Sequence, residues 1–358
     1  MADPVTQYLR RRNLLPSPIE PLVQLPLTIA SWVYRPAIFW RNSFFNMGLR
    51  TVKKLKTKVI SVGNITIGGS GKTPVVQMLA KHLKESGQTV VILSRGYRPF
   101  KPSISSPKLV DPTIADACDI FGDEPVMLAK TTGVPVVVCR DRYKAGIFAE
   151  GFLRPTLFLL DDGFQHRTLY READLVVVDV SQNIDRLLFP RGSLREPWPT
   201  LTRAAIIFLS KINLSPPHRV EEWRGLIKKY ATSSSLIDVE YNFSNPSSLP
   251  LGSLKGERLF LVSGIGDPES FSKMTQEVGG AIVGHRYFPD HHIFSQADIS
   301  ASEEAAKAVR AKYIVTTEKD GVKLQKLGLN MAWVELPLNV IPAQAELKEV
   351  LALYGIGQ

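Results

Sequence analysis

The chain has 358 residues, 44% hydrophobic and 22% charged, an ordinary globular composition with room for two domains that excludes a disordered or fibrous protein. Its two cysteines, Cys118 and Cys139, have neither metal-ligand nor disulfide-framework spacing, and no signal-peptide pattern precedes them, so a reducing, cytosolic-side location is expected. The net charge of +10 is local: ten Lys and Arg and no acid lie between Glu20 and Glu85, and the rest balances at 34 basic against 34 acidic residues. No nucleic-acid-binding module accompanies that charge, so nucleic acid is not an expected partner.

Residues 1–57 form the basic, aromatic part of the chain. Trp32, Tyr34, Phe39, Trp40, Phe44 and Phe45 alternate with Arg35, Arg41 and Arg50 and are followed by "KKLKTK" from Lys53. The longest uncharged run, Pro21 to Tyr34, has 14 residues and holds Pro26, too short for the roughly 20 apolar residues that span a bilayer. Two readings remain: an amphipathic helical segment lying on an anionic membrane surface, or helices packed on the domain with their basic residues solvated.

From Lys58 the pattern becomes strand then helix: "KVISVGN", "TPVVQMLAKHLKESG", "TVVILSRG", then "VPVVVC", "TLFLLDD" and "DLVVVDV". Short β-branched runs ending in Gly, Asp or Arg predict a parallel sheet with crossover helices over residues 58–199, with ligands at the carboxyl ends of its strands. The turn-rich "PRGSLREPWP" at Pro190–Pro199 is the expected boundary. A smaller α/β domain is expected over 200–358, from "AAIIFLSK" through "RLFLVSGIGDPESF" to "AKYIVTTEKD". The path of the last helix stays open.

The first strand runs into "GGSGKT", a phosphate-binding loop whose first Walker A glycine is replaced by Thr66. Strand, glycine-rich loop and helix in this order support a P-loop. The backbone N–H groups of Gly68, Gly69, Ser70 and Gly71 would wrap a triphosphate at the helix N-terminus. Lys72 would reach the β and γ phosphates, and Thr73 would hold Mg²⁺ through its hydroxyl. Partitioning ATPases share the "GGxGKT" form, but their extra lysine before the glycines is replaced here by Ile67; a membrane-recruited ATPase of that type is the alternative reading.

Later elements supply carboxylates. "LFLLDDGFQH" ends a strand in Asp161-Asp162, either metal ligands beside the P-loop or a plain turn. "FGDEP" sets Asp123 and Glu124 in a loop as metal ligand or base, although the same residues are good turn formers. "PDHH" offers His291 to orient such a carboxylate.

In order and spacing, "VGNITIGGSGKTP", "LSRGY", "GDEP", "RDR", "DDGFQH", "LREP", "GIGDPESF", "PDHH" and "TTEKD" resemble the tetraacyldisaccharide 4′-kinase (lipid A 4′-kinase) family over nearly the whole chain. The resemblance implies transfer of the γ-phosphoryl of ATP, with Mg²⁺, to the 4′-hydroxyl of a tetraacylated glucosamine disaccharide 1-phosphate. The enzyme would act peripherally at the cytoplasmic face of the bacterial inner membrane, with an anionic lipid substrate and no known protein partner. By motif position Asp123 matches the family's proposed general base and His291 its partner. Glu124, Asp161 and Asp162 match metal-associated carboxylates; Arg142, Gln165, His166 and Arg195 match substrate or phosphate contacts. Thr66 also fits, since Ser or Thr is common there in the family; Ser193 stands where the family usually has proline.

Overall fold

The computed structural model describes residues 20–68, 71–97, 101–246, 248–324, 327–342 and 344–353. Thirteen strands are present among them. The first nine are β1 (Lys58–Gly63), β2 (Val90–Ser94), β3 (Lys108–Leu109), β4 (Val136–Val138), β5 (Leu157–Asp161), β6 (Ala173–Asp179), β7 (Ile206–Ser210), β8 (Ser235–Phe243) and β9 (Arg258–Ser263). They are followed by β10 (Ala281–Tyr287), β11 (Tyr313–Thr317), β12 (Trp333–Leu336) and β13 (Leu338–Pro342). A nine-stranded sheet has the order β13-β8-β7-β6-β1-β5-β2-β4-β3, and a four-stranded sheet the order β10-β9-β11-β12. Only the two edge strands of the larger sheet, β13 and β3, run antiparallel to their neighbours.

The apolar runs become central strands because helices cover both faces, so no polar alternation is needed. All five residues of β2, β5 and β7 are buried. On one face Val75, Val76, Leu79 and Leu83 of the helix Lys72–Glu85 meet Ile60, Ile92 and Leu159. On the other, Ala145 and Ala149 of the helix Arg142–Leu153 meet Val91, Phe158 and Leu160. Each large side chain so buried contributes about 1.5–3 kcal/mol. The smaller sheet has its own apolar layers around Leu259, Leu261 and Val315, and around Phe260, Val262 and Ile299.

The larger sheet does not stop at the expected boundary near residue 200. β7 and β8 extend it in parallel beyond β6, and β13 returns from the smaller sheet to lie beside β8. Leu347 and Leu351 of the final helix, Gln344–Leu353, join the apolar layer of that same sheet. The turn-rich stretch at 190–199 is a loop within one sheet, and the change of sheet comes between β8 and β9. Both sheets are parallel and helix-covered, so strand composition cannot say which of them a strand joins.

β1 lies between β5 and β6. The chain leaves β1 toward β2 on one side and leaves β5 toward β6 on the other, so the crevice at the carboxyl end of β1 is the switch point where ligands of such sheets bind. The carboxyl ends of β9, β10 and β11 face the same crevice, contributing Gly266, Asp290 and Lys319 to its lining. The cleft between the sheets encloses 1120 Å³.

The helix Glu20–Asn46 lies against the larger domain along one side. Ser31 donates to the Leu188 carbonyl at 2.9 Å, Tyr34 to the Arg195 carbonyl at 2.9 Å, and Asn42 to Glu196 at 3.1 Å. Leu25, Ile29, Trp32 and Phe39 recur at helical spacing on the other side; Trp32 is 71% exposed and Phe39 62%. The reading of a helix packed on the domain therefore describes its first side, and the second is an exposed apolar row. No helix among the described residues is long and apolar enough to cross a membrane.

Candidate active site

The glycine-rich loop begins where β1 meets the loop after β5. Gly63 is required there because a Cβ would lie 2.6 Å from that of Phe164. Residues 65–67 then run extended and pair with 193–195: Arg195 N donates to the Ile65 carbonyl and Ile67 N to the Ser193 carbonyl, each at 2.7 Å. Thr66 sits in this extended segment, outside the left-handed region, so no glycine is needed there. Its carbonyl and hydroxyl accept from Asn64 Nδ2 at 2.7 and 3.2 Å, and Asn64 Oδ1 accepts from Lys72 Nζ at 3.2 Å. Among the described residues of the loop, positive φ is found at Gly68 (φ 107°) and Gly71 (φ 74°). Gly71 starts the helix Lys72–Glu85, and its carbonyl accepts from the Tyr241 hydroxyl at 2.8 Å. Gly68, Gly71, Lys72 and Thr73 all line the cleft at the positive end of that helix; Gly69 and Ser70 lie outside the described residues.

Opposite the loop stand the carboxylates. Asp162 (φ 50°) accepts from Arg195 Nη1 at both oxygens, 2.9 and 3.0 Å, and lies 3.5 Å from Lys72 Nζ. Burial opposes its ionisation, but the Lys72 and Arg195 charges outweigh burial and hold its carboxyl well below the usual range. Asp161, at the end of β5, has one hydrogen bond from Ser94 at 3.0 Å. Burial, followed by the charges of Glu124 and Asp162, pushes it up to about 7. The same pair of aspartates therefore splits into one fixed anion and one carboxyl whose burial outweighs the nearby Lys72 charge. Arg142 is buried beside them at the start of its helix, which Asp141 caps, and its Nε has no hydrogen-bond partner among the described residues.

Across the cleft the sheets meet at Asp123 and His291. Asp123 opens the helix Asp123–Thr132 after Gly122 (φ 97°), where a Cβ would press on the Tyr97 carbonyl. His291 (φ 61°) follows β10, and its Nδ1 lies 2.9 Å from Asp123 Oδ2 and 3.3 Å from Oδ1. Lys319, after β11, places Nζ 3.0 Å from Glu124, 3.2 Å from Asp290 and 3.4 Å from His291 Nε2. An ammonium only donates, so Nε2 accepts and the proton sits on Nδ1, directed at Asp123; the tautomer is assigned from this network. Burial opposes ionisation of Asp123, yet the His291 hydrogen bond with Lys319 and Lys323 holds it far below the ordinary value. His291 is pushed down by burial but raised overall by Asp123. His291 and Glu124 line the cleft, and Asp123 lies just behind them.

Among the expected site residues, the structure gathers Gly68, Gly71, Lys72, Thr73, Glu124, Arg142, Asp161, Asp162, Arg195 and His291 around one cleft. Gln165 and His166 face a second, smaller pocket instead. Among the described residues no group of three or more His, Cys, Asp or Glu side chains is spaced to hold an ion unaided. A P-loop magnesium site does not require such a group, since a hydroxyl, one or two carboxylates and the phosphates share the ion. The undercompensated Asp161, in the fields of Glu124 and Asp162, suits a cation as well.

Residue-by-residue reading missed three features. Lys319 ties the two sheets together. Lys211, at the end of β7, pairs with Asp179 at 2.7 Å and with Asp267 at 2.5 Å, the second bond joining the sheets again. Tyr241, Phe243, Phe271, Met274 and Leu338 line an apolar part of the cleft. The signal was present for the lysines, since both follow strands.

Comparison with known proteins gives the same picture. The family model described as tetraacyldisaccharide-1-P 4′-kinase (LpxK) matches residues 23–354. A tetraacyldisaccharide 4′-kinase of Bdellovibrio bacteriovorus is 35% identical over 83% of this chain and 88% of its own. One of Geobacter sulfurreducens is 34% identical over 91% of this chain and 93% of its own. The crystal structure of LpxK from Aquifex aeolicus in complex with ATP superposes with a TM-score of 0.72 at 30% identity, covering 93% of this chain and 99% of that one. A phosphate loop, facing carboxylates and an Asp–His pair closing the same cleft accompany this likeness, and the chain belongs to the tetraacyldisaccharide 4′-kinase family.

Proposed function

We propose that this protein transfers the γ-phosphoryl group of ATP to the 4′-hydroxyl of a tetraacylated glucosamine disaccharide 1-phosphate, giving the 1,4′-bisphosphate of lipid A biosynthesis. The observation that carries the reading is the convergence on one cleft of Lys72 and the glycine loop from the larger sheet with His291 and Lys319 from the smaller. The apolar end at Tyr241, Phe243 and Phe271 would take the adenine, and the loop between Gly68 and Thr73 the phosphates. Thr73 and Asp161, with Glu124 nearby, would hold Mg²⁺, which supplies charge neutralisation on the transferred group.

The acceptor oxygen forms a bond to the γ-phosphorus as the bond to the β–γ bridging oxygen breaks, and the hydroxyl proton passes to Asp123. A carboxylate of such low proton affinity is a weak base, which suffices because the phosphoryl in flight is loosely bonded and needs positioning more than deprotonation. His291 directs its Nδ1 proton at Asp123 and holds the orientation of that carboxylate. Arg142 and Arg195 stand where the transferred or acceptor phosphate would be neutralised.

The exposed row Leu25, Ile29, Trp32 and Phe39 supports seating on a membrane surface, with the apolar side chains at the acyl boundary and the basic residues of the segment near anionic headgroups. Such a seat puts the cleft beside the bilayer that carries the acceptor, at the cytoplasmic face where ATP is present. Incubation with ATP, Mg²⁺ and the disaccharide 1-phosphate, followed by mass spectrometry, tests the reading: the lipid gains one phosphate, located at the 4′ position. An unmodified lipid, or a phosphate on another hydroxyl, would overturn it.

A further inference from the structure

The helix Arg142–Leu153 turns Ala145 and Ala149 toward the larger sheet and Ile147, Phe148 and Phe152 away from it. Phe152 is 67% exposed and Ile147 48%, and the rings of Phe148 and Phe152 stack with centres 6.2 Å apart. Single exposed apolar residues are ordinary, but a contiguous group marks a contact surface. The other exposed positions of this face are Lys144, Gly151 and, just past the helix, Arg154; among the described residues of the helix no acid is exposed. The carboxylates beside it are engaged by backbone N–H groups. Asp141 caps the helix, Glu150 accepts from Thr57 N at 2.7 Å, and Glu172 accepts from Val59 N at 2.6 Å.

This face lies on the same side of the molecule as the exposed row of the Glu20–Asn46 helix. Val59 of β1 pairs with Phe158 of β5, Ser61 with Leu160 and with Asp174 of β6, and Gly63 with Val176. Side chains alternate along a strand, so Phe158, Leu160 and Val176 share one face of the sheet. The helix Arg142–Leu153 packs on Phe158 and Leu160, and Tyr34 of the N-terminal helix on the cluster that holds Val176 and Phe164. Both helices therefore cover that face and turn their outer sides the same way. The segment joining the N-terminal helix to β1 is fixed between them. Lys53 N donates to the Thr168 carbonyl at 2.9 Å, and Leu55 fills the notch at Gly146, where any Cβ would collide with it. The segment exposes Leu49 and Val52 beside Lys53, Lys54 and Lys56. The Lys53 and Lys54 ammonium groups sit 4.9 and 4.6 Å from the ring centres of Tyr143 and Tyr170.

Apolar side chains ringed by cations suit an anionic lipid surface, whereas a second copy docked face to face would set like charges together. One amphipathic helix fixes depth in a bilayer but leaves the protein free to roll about the helix axis, and a contact on a neighbouring helix removes that freedom. The helix Arg142–Leu153 starts at the cleft, which Arg142 lines, and Phe148 and Phe152 lie about 9 and 15 Å further along its axis. We propose that the outer face of this helix, centred on Phe148 and Phe152, is a second membrane contact, which takes an anionic lipid surface and fixes how the cleft is turned toward the bilayer. It rests on the surface seating read for the N-terminal helix and is independent of the phosphoryl chemistry.

The test is co-sedimentation of the full chain with phosphatidylcholine vesicles, with and without phosphatidylglycerol. Phe148→Ser combined with Phe152→Ser should weaken partitioning by about tenfold, the low end for one large apolar side chain taken out of water. Thermal unfolding should be unchanged, since both rings are exposed. Lys144→Glu should weaken binding only where phosphatidylglycerol is present. The fluorescence added by Phe152→Trp should be quenched by lipids brominated on their acyl chains, a readout of this position and not of the N-terminal helix. Equal partitioning of the double variant and the parent, or no quenching of that fluorescence, overturns the second contact and leaves the helix seat standing. A parent dimer that the double variant dissociates makes the face an interface between copies and overturns it as well. A parent that binds no vesicle overturns both the second contact and the seat on which it rests.

Discussion

Asp123→Asn and His291→Ala, alone and together, probe the contact that closes the cleft. Asn keeps the shape of Asp123 but removes the anion that accepts from His291 Nδ1 at 2.9 Å. Loss of a general base costs about 10²–10⁴ in turnover. The His291 contribution is that of one hydrogen bond to a charged group, about 1.5–3 kcal/mol. At about 1.4 kcal/mol per tenfold, that is a loss of roughly 10- to 150-fold. If His291 acts only through Asp123, its loss adds nothing once Asp123 is gone, and the double variant should match Asp123→Asn within a few-fold. Independent action would multiply the losses to roughly 10³–10⁶. The assay is turnover at saturating ATP and lipid, with thermal unfolding of each variant to establish that it is folded. Fully multiplicative losses would refute the coupled pair and reassign His291, which itself lines the cleft, to direct contact with substrate or phosphate.

The loop chemistry predicts that Lys72→Ala lowers turnover by about 10²–10⁵ in a folded protein, whereas Thr66→Gly, which removes only a 3.2 Å contact to Asn64, leaves kcat nearly unchanged in a steady-state assay. Lys319→Met strands Glu124 and Asp290; breaking a buried pair costs about 3–5 kcal/mol, and with Glu124 31% exposed the loss in denaturant unfolding should fall below that range, with partial recovery when Glu124→Gln is added. Asp267 is pushed up by burial, but Lys211 outweighs this and holds its carboxyl below the ordinary value. Its stabilising effect is therefore present above the unfolded carboxylate pKa of about 3.9 and is lost as pH falls through the folded value. Asp267→Asn should flatten that acid limb in unfolding measured against pH. Replacing Trp32, Phe39 and Trp40 by Ser should weaken vesicle binding at every salt concentration, while raising salt weakens the parent through its basic segment; co-sedimentation reads both.

What could be read from residues alone was what is contiguous along the chain. The P-loop stands out because strand, glycines, Lys72 and Thr73 adjoin, and the Asp161-Asp162 pair because it ends an apolar strand. The pairing of Asp123 with His291 came from family resemblance, since nothing local joins residues separated by 168 positions. Asn64, which holds Lys72 and Thr66 together, gave no signal, because its role depends on how the loop folds back. The boundary near residue 200 failed for a related reason: "PRGSLREPWP" looks like a linker, yet its backbone pairs with residues 65–67 and sets Arg195 against Asp162. Lys211 and Lys319 act between the sheets, and only the packing of the smaller sheet over the larger reveals their partners.

The central claim is that phosphate leaves ATP for a lipid hydroxyl and not for water. Purified protein given γ-labelled ATP, Mg²⁺ and the tetraacyl disaccharide 1-phosphate should deposit one label in the lipid for each ADP formed, and should form almost no ADP without the lipid. Label appearing as inorganic phosphate at a rate indifferent to the disaccharide would contradict the account and identify a P-loop ATPase of the partitioning type.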